Sequence, residues 1–269
     1  MGAPMTEAPF FSVIMCVHRN QGYLADAIHS VLHQSDADFE FLIGANACDD
    51  ALMQVLQGLA GKDERVRIFR TDIGQLSFNL NFLADRARGE YLVRMDSDDV
   101  CEPQRIAVLR QVLGQRRLDV LGSWATLISA QGDTLGEMRL PCDHDAIVKA
   151  MPWGTVFCHP AVAIRRDFLL RLRGYLGGFV SEDTDLWLRS VLAGGRLGNV
   201  PQVLLKYRLH AHQSTMSGRG YAEVASHWLR ELLAQPSWFL AKGFAIAMAK
   251  RLGAPLLWHL RAKRLGGGA

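Results

Sequence analysis

In its first half the chain reads Glu90-Tyr91-Leu92-Val93-Arg94-Met95-Asp96-Ser97-Asp98-Asp99, a run of strand-forming residues that ends in three carboxylates. The run predicts a buried strand, so Asp96 and Asp98 stand at its carboxyl end, where the turning backbone can point both to one side. Carboxylates this close repel one another unless a cation shares them, and Mg2+ or Mn2+ prefers such hard oxygen ligands together with phosphate oxygens. A helix N-cap before Pro103 would use only one of them. The segment therefore predicts a metal site that also binds phosphate.

Composition indicates a globular protein built around one large α/β domain. The 269 residues are 49% hydrophobic and 21% charged, and a net charge of +3 is too small to predict nucleic acid as a partner. The five cysteines are scattered without a CxxC pair, which predicts reduced thiols in a cytoplasmic protein. Residues 1–9 lack the basic segment of a signal peptide, and the sequence has no apolar stretch of about 20 residues that would predict a membrane span.

Strands and helices are predicted to alternate before the acidic cluster. The predicted strands are 10–17, 39–44, 66–69 and 91–95, and the predicted helices are 23–34, 51–59 and 78–86. This alternation indicates βαβ units and a mostly parallel, Rossmann-like central sheet flanked by helices. Ligands of such sheets bind beyond the carboxyl ends of the strands, where His18, Asn46 and Asp96 fall.

The pattern changes after Pro103. A helix is predicted over 104–115, and the strand predicted over 119–129 leads through a turn at 131–133 into an antiparallel hairpin. Further strands are predicted over 161–164 and 203–208, and a helix opens at Ser181-Glu182-Asp183. We therefore expect a small antiparallel sheet on this side of the domain.

Residues 221–265 have a helical pattern in which aromatic and basic residues alternate. We interpret them as a helical appendage packed on the domain, and the alternative interpretation is peripheral contact with an anionic membrane surface. The predicted organisation is a disordered tail (1–9), one domain (10–218) with halves 10–102 and 103–218, and a helical C-terminal extension (219–269) with a disordered end.

These segments, in this order, resemble the family 2 inverting glycosyltransferases, which have a GT-A fold. The resemblance covers roughly residues 10–215 and rests on several separate motifs. The motifs are Ser12–Asn20 as the opening strand and turn, 25–34 as the first helix, Asn81 with 87–91 as the approach to the metal motif, Asp96–Asp99 as the DxD-type motif, 157–160 with 165–166 as the acceptor-side strand, 182–189 as the ED motif, and 207–210 as the closing element. One departure is Ala45-Asn46, where the family usually has an Asp pair that includes the uracil-binding residue.

The resemblance implies transfer of a sugar from a nucleoside-diphosphate sugar, by default a UDP-sugar, with Mn2+ or Mg2+ as cofactor. The expected acceptor is a glycan or glycolipid of surface polysaccharide or lipopolysaccharide. Asp183 would be the catalytic base, with Glu182 binding the acceptor or raising the pKa of Asp183 by like charge. The residues implied for the nucleotide sugar are Val17, His18, Arg19, Asn20, Asn46, Asn81, Arg88, Asp96, Ser97 and Arg208; those for the metal are Asp98, Asp99 and His210; those for the acceptor are His159 and Trp187.

Other interpretations of the same residues stay open at this stage. Without the resemblance, Glu182-Asp183 would be interpreted as a helix start after Ser181 as N-cap. Arg208 fits a structural ion pair as well as a phosphate contact. A sugar nucleotidyltransferase would be expected to carry a glycine-rich loop after the first strand, which this chain lacks. A non-catalytic nucleotide-sugar-binding or scaffold protein is suggested by Ala45-Asn46, but the four intact acidic residues at 96, 98, 182 and 183 favour an enzyme.

Overall fold

The computed structural model describes residues 8–178, 180–210 and 218–265, with the backbone alone from 254 to 265. Most of the predicted N-terminal tail and the predicted disordered end lie outside these residues. The strands are β1 (Phe11–Val17), β2 (Phe39–Asn46), β3 (Val66–Thr71), β4 (Tyr91–Asp96), β5 (Val100–Cys101), β6 (Val120–Ile128), β7 (Thr134–Met138), β8 (Ala163–Arg165) and β9 (Leu197–Arg208).

Helices follow most of these strands, as the alternating pattern predicts. They are α1 (Leu24–Leu32), α2 (Asp50–Ala60), α3 (Leu76–Arg86), α4 (Arg105–Arg116), α5 (His144–Ala150), α6 (Arg166–Arg171), α7 (Glu182–Leu192), α8 (Gly218–Ala234) and α9 (Trp238–Leu265). Two short 3-10 helices cover Met151–Trp153 and His159–Ala161. The predicted α/β class is confirmed.

A single mixed sheet organises the described part of the chain. Its strand order is β3-β2-β1-β4-β8-β6-β9-β5, with β7 paired to β6 outside this path. The first four strands are parallel, and β1 places Val17 beside Ala45 of β2 and Cys16 beside Asp96 of β4. The carboxyl ends of β1, β2 and β4 therefore meet at one edge.

The antiparallel strands expected on the acceptor side do not form a separate sheet. β8 pairs antiparallel with β4 and β6, and β6 pairs parallel with β9, so the second half of the domain continues the first sheet. β9 also begins at Leu197, earlier than the strand predicted over 203–208. Pro201 interrupted the sequence pattern, yet the strand accommodates it where the pairing with β6 shifts register.

Alternate residues of the strands face two apolar cores. Phe11, Val13 and Met15 of β1 belong to the core under α1, α2 and α4, whereas Ile14 and Cys16 belong to the core on the opposite face. The second core includes apolar residues of α3 and α7 and also Trp228 of α8 and Leu240 of α9. The C-terminal helices thus pack against the domain through buried side chains.

Candidate active site

A cavity of about 770 Å3 opens at the carboxyl end of β4, beside Gln21 of the segment after β1. Its lining includes Asp96, Ser97 and Asp98, and also Glu182 and Asp183 at the start of α7. Two acidic motifs that lie 84 residues apart in sequence, counted from Asp98 to Glu182, therefore face one shared space. This is the arrangement that the sequence pattern alone could not establish.

The acidic cluster at the end of β4 is held by the last residues of β9. Arg208 donates from its backbone N to Asp99 Oδ1 (2.8 Å) and from its Nε to the carbonyl of Asp98 (2.8 Å). His210 Nε2 lies 2.8 Å from Asp98 Oδ2, within hydrogen-bond distance. Asp98 and Asp99 are therefore held by Arg208, the last residue of β9, and by His210, two residues beyond it.

The donor atoms of this cluster fit a divalent cation. One carboxylate oxygen each from Asp96, Asp98 and Asp99 lies within 4.8 Å of the others, and oxygens are the ligands that Mg2+ and Mn2+ prefer. Asp99 is almost fully buried, and its Oδ2, like His210 Nδ1, has no hydrogen-bond partner among the described residues. Burial, reinforced by the charges of the neighbouring aspartates, raises the pKa of Asp99 well above its usual value. A shared cation would relieve this repulsion.

Arg94 is a site residue that the sequence analysis did not single out. It lies two residues before Asp96 on the same face of β4, lines the cavity floor, and is only 2% exposed. Its Nη1 pairs with Asp96, while its Nε has no hydrogen-bond partner in the described ranges. Burial opposes the charge of Arg94, but the Asp96 carboxylate keeps the pKa of the guanidinium above its usual value. The sequence does contain an indication of this role, because a charged residue such as Arg94 is unusual in a strand that is predicted to be buried.

Glu182 and Asp183 form the first turn of α7. Asp183 Oδ1 accepts a hydrogen bond from the backbone N of Thr184 (2.7 Å), which fixes the carboxylate, and burial raises its pKa. Burial and the charge of Asp183 raise the pKa of Glu182 to about 7, so near neutral pH part of Glu182 is protonated. A carboxyl group with a raised pKa is a more effective proton acceptor near neutral pH.

His159, which the resemblance assigns to the acceptor, lies beside Glu182 in the cavity wall. Its Nδ1 is 3.8 Å from Glu182 Oε1, and its Nε2 is 2.9 Å from the hydroxyl of Tyr175, a residue that the sequence analysis also missed. Burial, together with the positive charge of Arg94, lowers the pKa of His159 well below its usual value. The imidazole is therefore neutral and acts as a hydrogen-bonding group in the cavity wall.

The turn after β1 lies against the end of β2, where a nucleotide base was predicted to bind. His18 Nδ1 is 2.8 Å from the carbonyl of Asn46, and Val17 is buried just before it. Asn46 is itself only 4% exposed, and its Oδ1 has no hydrogen-bond partner within the described residues. Arg19 and Asn20 are exposed in the turn. The amide of Asn46 is thus the group at this strand end with unused hydrogen-bonding capacity.

Two residues that the resemblance assigns to the nucleotide sugar, Arg88 and Asn81, do not line the cavity. Arg88 precedes β4 and pairs with Glu40 of β2 (3.0 Å), so it lies at the amino ends of the strands, opposite the cavity. Asn81 of α3 exchanges both of its amide hydrogen bonds with the backbone of Tyr175 (2.8 Å each). The sequence prediction was wrong for Arg88, and Asn81 supports the Tyr175 loop.

Arg208 and Trp187 also make contacts that stabilise the fold. Arg208 is 5% exposed, stacks over Tyr23 at 4.4 Å, and donates to backbone carbonyls of the 129–130 turn, which favours its structural interpretation. Trp187 is 3% exposed and packs on Phe157 with ring centroids 4.9 Å apart. Because its ring lies behind His159, Trp187 presents no stacking surface to an acceptor, and that prediction is corrected.

Comparison with known proteins gives a consistent result. The model of the family described as Glycosyl transferase family 2 matches residues 12–173. The chain is 39% identical to the O-antigen biosynthesis glycosyltransferase WbnJ of Escherichia coli over 225 residues, which cover 82% of this chain and 88% of that protein. It is 25% identical to the UDP-Gal:alpha-D-GlcNAc-diphosphoundecaprenol beta-1,3-galactosyltransferase of Escherichia coli, with 87% and 85% covered.

Among solved structures, the chain is similar to the mannosyltransferase PcManGT of Pyrobaculum calidifontis in complex with GDP-Man and Mn2+. The TM-score is 0.67 at 16% identity, and the similarity covers 98% of this chain and 77% of that one. At this level of identity the similarity shows the fold, and it confirms the GT-A fold that the sequence motifs predicted.

Proposed function

Because the chain belongs to glycosyl transferase family 2, we propose that it transfers a sugar from a nucleoside-diphosphate sugar, by default a UDP-sugar, to a hydroxyl of a glycan or glycolipid acceptor. The proposed reaction inverts the configuration at the anomeric carbon and belongs to the synthesis of a surface polysaccharide or lipopolysaccharide. The relative WbnJ acts in O-antigen biosynthesis by name, and the second relative is named for a UDP-sugar and a lipid-diphosphate acceptor.

The observation that supports this proposal best is the shared cavity. A direct displacement needs a carboxylate near the attacking hydroxyl and a binding site for the leaving diphosphate on the other side of the anomeric carbon. Asp183 lines the same cavity as Asp96 and Asp98, and its volume of about 770 Å3 is large enough for a nucleotide sugar by the usual size of ligand pockets.

Each residue then has a specific part in the proposed reaction. Asp183 accepts the proton of the attacking hydroxyl, and the partly protonated Glu182 donates a hydrogen bond to the acceptor. Asp96, held by Arg94, orients the donor, with Ser97 beside it. A divalent cation bound by Asp98 and Asp99, with His210 beside them, would neutralise the charge that develops on the leaving diphosphate.

Calorimetric titration with UDP, GDP, CDP and dTDP tests the donor site. We expect one nucleoside diphosphate, UDP by default, to bind in the presence of Mn2+, and its affinity to fall at least about tenfold when the metal is chelated, because diphosphate binding depends on the cation. Asn46→Asp is expected to alter the preference among the bases, since it replaces an amide that donates and accepts by a group that only accepts. Failure of all four nucleotides to bind would favour the scaffold interpretation.

The C-terminal helices support a proposal about where the protein works. The 28-residue helix α9 contains six Lys or Arg residues and no Asp or Glu. Its described side chains include Trp238 at 92% and Leu252 at 73% exposure, and Leu233 of α8 is 75% exposed. Cationic helices with exposed aromatic and aliphatic side chains bind anionic membrane surfaces. No helix in the described ranges is long and apolar enough to cross a membrane.

We therefore expect peripheral binding to anionic lipid, consistent with the proposed cytoplasmic location on the inner face of the membrane. In a flotation assay, vesicles containing phosphatidylglycerol should carry the protein, and neutral vesicles should carry much less. Trp238→Ser should reduce flotation several-fold, because burial of a large aromatic ring contributes a few kcal/mol. Leu135→Ser is the matched control, since Leu135 is 57% exposed on β7 in another part of the domain. Equal flotation of all three proteins on both vesicles would contradict this proposal.

A further inference from the structure

The helix that carries Glu182 and Asp183 is held at its amino end by a side chain from α8. The first N–H groups of a helix have no partner within it, and a serine before the helix usually accepts a bond from one of them. Ser181 occupies that position, but its side chain makes no such capping bond within the described part of the chain. The Glu223 carboxylate instead accepts hydrogen bonds from Val180 N (3.1 Å) and Ser181 Oγ (2.8 Å).

The backbone before α7 passes directly against this carboxylate. Gly178 has a φ of +150°, and a Cβ built on it would lie 3.1 Å from Glu223 Oε1 and 3.2 Å from Glu182 N. Glycine is the residue that permits both this conformation and this close approach. Glu223 is therefore in contact with the segment that leads into the catalytic pair.

His227, one turn further along α8, completes the contact with Ser181. The fully buried Ser181 hydroxyl has a single proton, which it donates to Glu223, so His227 Nε2 at 3.1 Å must be the donor of the second bond. His227 is 8% exposed, and burial lowers its pKa, so the ring is neutral with the proton on Nε2. Hydrogen bonds thus join Ser181 to both Glu223 and His227, and the other ring nitrogen of His227, Nδ1, lies 3.8 Å from Asp185 Oδ1.

A third contact extends the same face of α8 along α7. Arg230 Nη2 lies 2.5 Å from Asp185 Oδ1, and Asp185, which is 0% exposed, also pairs with Arg189 at 2.7 Å. Residues 223, 227 and 230 share one face of α8 by their spacing, and they contact residues at 181 and 185, one turn apart on α7. The first turn of α7 is therefore fixed from both ends by α8.

We propose that Glu223, supported by His227, is a positioning residue for catalysis: it fixes the first turn of α7 so that Asp183 stays directed into the cavity. This inference rests on the proposed function, in which Asp183 is the base. The proposal assigns a role in catalysis to α8, which lies outside residues 12–173, the region that the family model matches. The helix dipole favours a carboxylate at this end of α7, and two hydrogen bonds hold it there although Glu182 and Asp183 carry the same charge.

Steady-state kinetics of Glu223 variants test the proposal. Glu223→Ala should lower kcat by about tenfold to a hundredfold with KM for the donor unchanged within about twofold, because a small displacement of the base affects the chemical step and leaves the donor site intact. Glu223→Gln should recover part of kcat, since its amide oxygen still accepts both hydrogen bonds. Unchanged kcat in Glu223→Ala, or a Glu223→Gln variant as impaired as Glu223→Ala, would overturn the proposal.

A matched pair of serine variants separates this contact from general effects on α8. Ser181→Ala removes the hydroxyl that joins Glu223 and His227, whereas Ser226→Ala removes an exposed hydroxyl that donates to the carbonyl of Glu223 within α8 (2.7 Å). We expect kcat to fall in Ser181→Ala and to stay near wild type in Ser226→Ala. Equal effects of the two substitutions would contradict the proposal.

Hydrogen exchange provides a measurement that does not depend on activity. Peptides that cover residues 181–187 should exchange faster in Glu223→Ala and Ser181→Ala, while peptides of β1 remain protected as in the wild type. Unchanged exchange of residues 181–187 would overturn the positioning role even if transferase activity were found. Faster exchange in a protein whose wild type transfers no sugar would instead show that the proposed function is wrong and that the contact is structural.

Discussion

Replacing Asp183 by asparagine is expected to lower kcat by about 10²- to 10⁴-fold, the usual contribution of a general base. The substitution keeps the size of the side chain and the hydrogen bond that Oδ1 accepts from Thr184 N, but removes the ability to take a proton from the attacking hydroxyl. The proposed donor site is formed by the end of β4 and Asp183 belongs to α7, so nucleotide affinity should stay within about twofold of the wild type. Initial rates and calorimetry measure the two quantities separately.

Asp145→Asn is the matched control for this experiment. Asp145 is the second residue of α5 as Asp183 is the second residue of α7, and its side chain is exposed outside the cavity. Each substitution replaces a carboxylate in the first turn of a helix by an amide, and of the two residues only Asp183 lines the cavity. If Asp183→Asn kept kcat within about threefold of the wild type, Asp183 would not be the base. If both the wild type and Asp183→Asn bound nucleotide but neither transferred sugar, the protein would be a binding protein and not an enzyme.

Replacing Asp98 by asparagine is expected to weaken metal-dependent nucleotide binding by at least about a hundredfold, because loss of even an outer partner of a metal ligand costs about 10–100-fold. Asp98 is proposed to contact the cation directly, and its carbonyl still accepts the bond from Arg208 Nε, so the loop should keep its conformation. The measurement is calorimetry with Mn2+ and UDP. In a thermal melt, Mn2+ with UDP should stabilise the wild type but not Asp98→Asn, since only a bound ligand raises the melting temperature.

Asp36→Asn provides the control for Asp98. Asp36 is also paired with a basic side chain, Arg110 at 2.5 Å, but it lies before the amino end of β2, away from the cavity. The loss of its ion pair should leave nucleotide affinity unchanged with and without metal. Retention of full Mn2+-dependent binding by Asp98→Asn would exclude Asp98 as a metal ligand.

Most of the parallel half of the sheet was predictable because β1, β2 and β4 are buried on both faces and therefore have nearly continuous apolar sequences. β1, β2 and β4 were each predicted to within two residues, and the position of Asp96 at a strand end followed from them. The strands of the second half of the sheet could not be predicted as well from their apolar pattern. β8 has three residues, and β9 runs through Pro201, so neither the length of β9 nor its pairing with β6 can be deduced from local pattern.

Site residues were predictable where the chemistry is local and not where it depends on distant partners. The cluster at 96–99 follows from three adjacent carboxylates, whereas the role of Ser181 depends on Glu223, which lies 42 positions further along the chain. Ser181 does not cap α7 with its side chain, because its hydroxyl is hydrogen-bonded to Glu223 and His227 of α8. Arg88 was assigned by motif order alone, and the direction of β4 places it at the wrong end of the sheet.

The bond between Arg208 N and Asp99 Oδ1 has a consequence for the synthesis of the protein. The two residues are 109 positions apart, and nascent chains leave the ribosome amino end first. The strands that hold Asp99 can therefore pair long before Arg208 exists, but the buried carboxylate has no donor until that residue emerges. We expect ribosome-bound fragments that end before β9 to lack a completed acidic site, because the bond from Arg208 N to Asp99 cannot yet form.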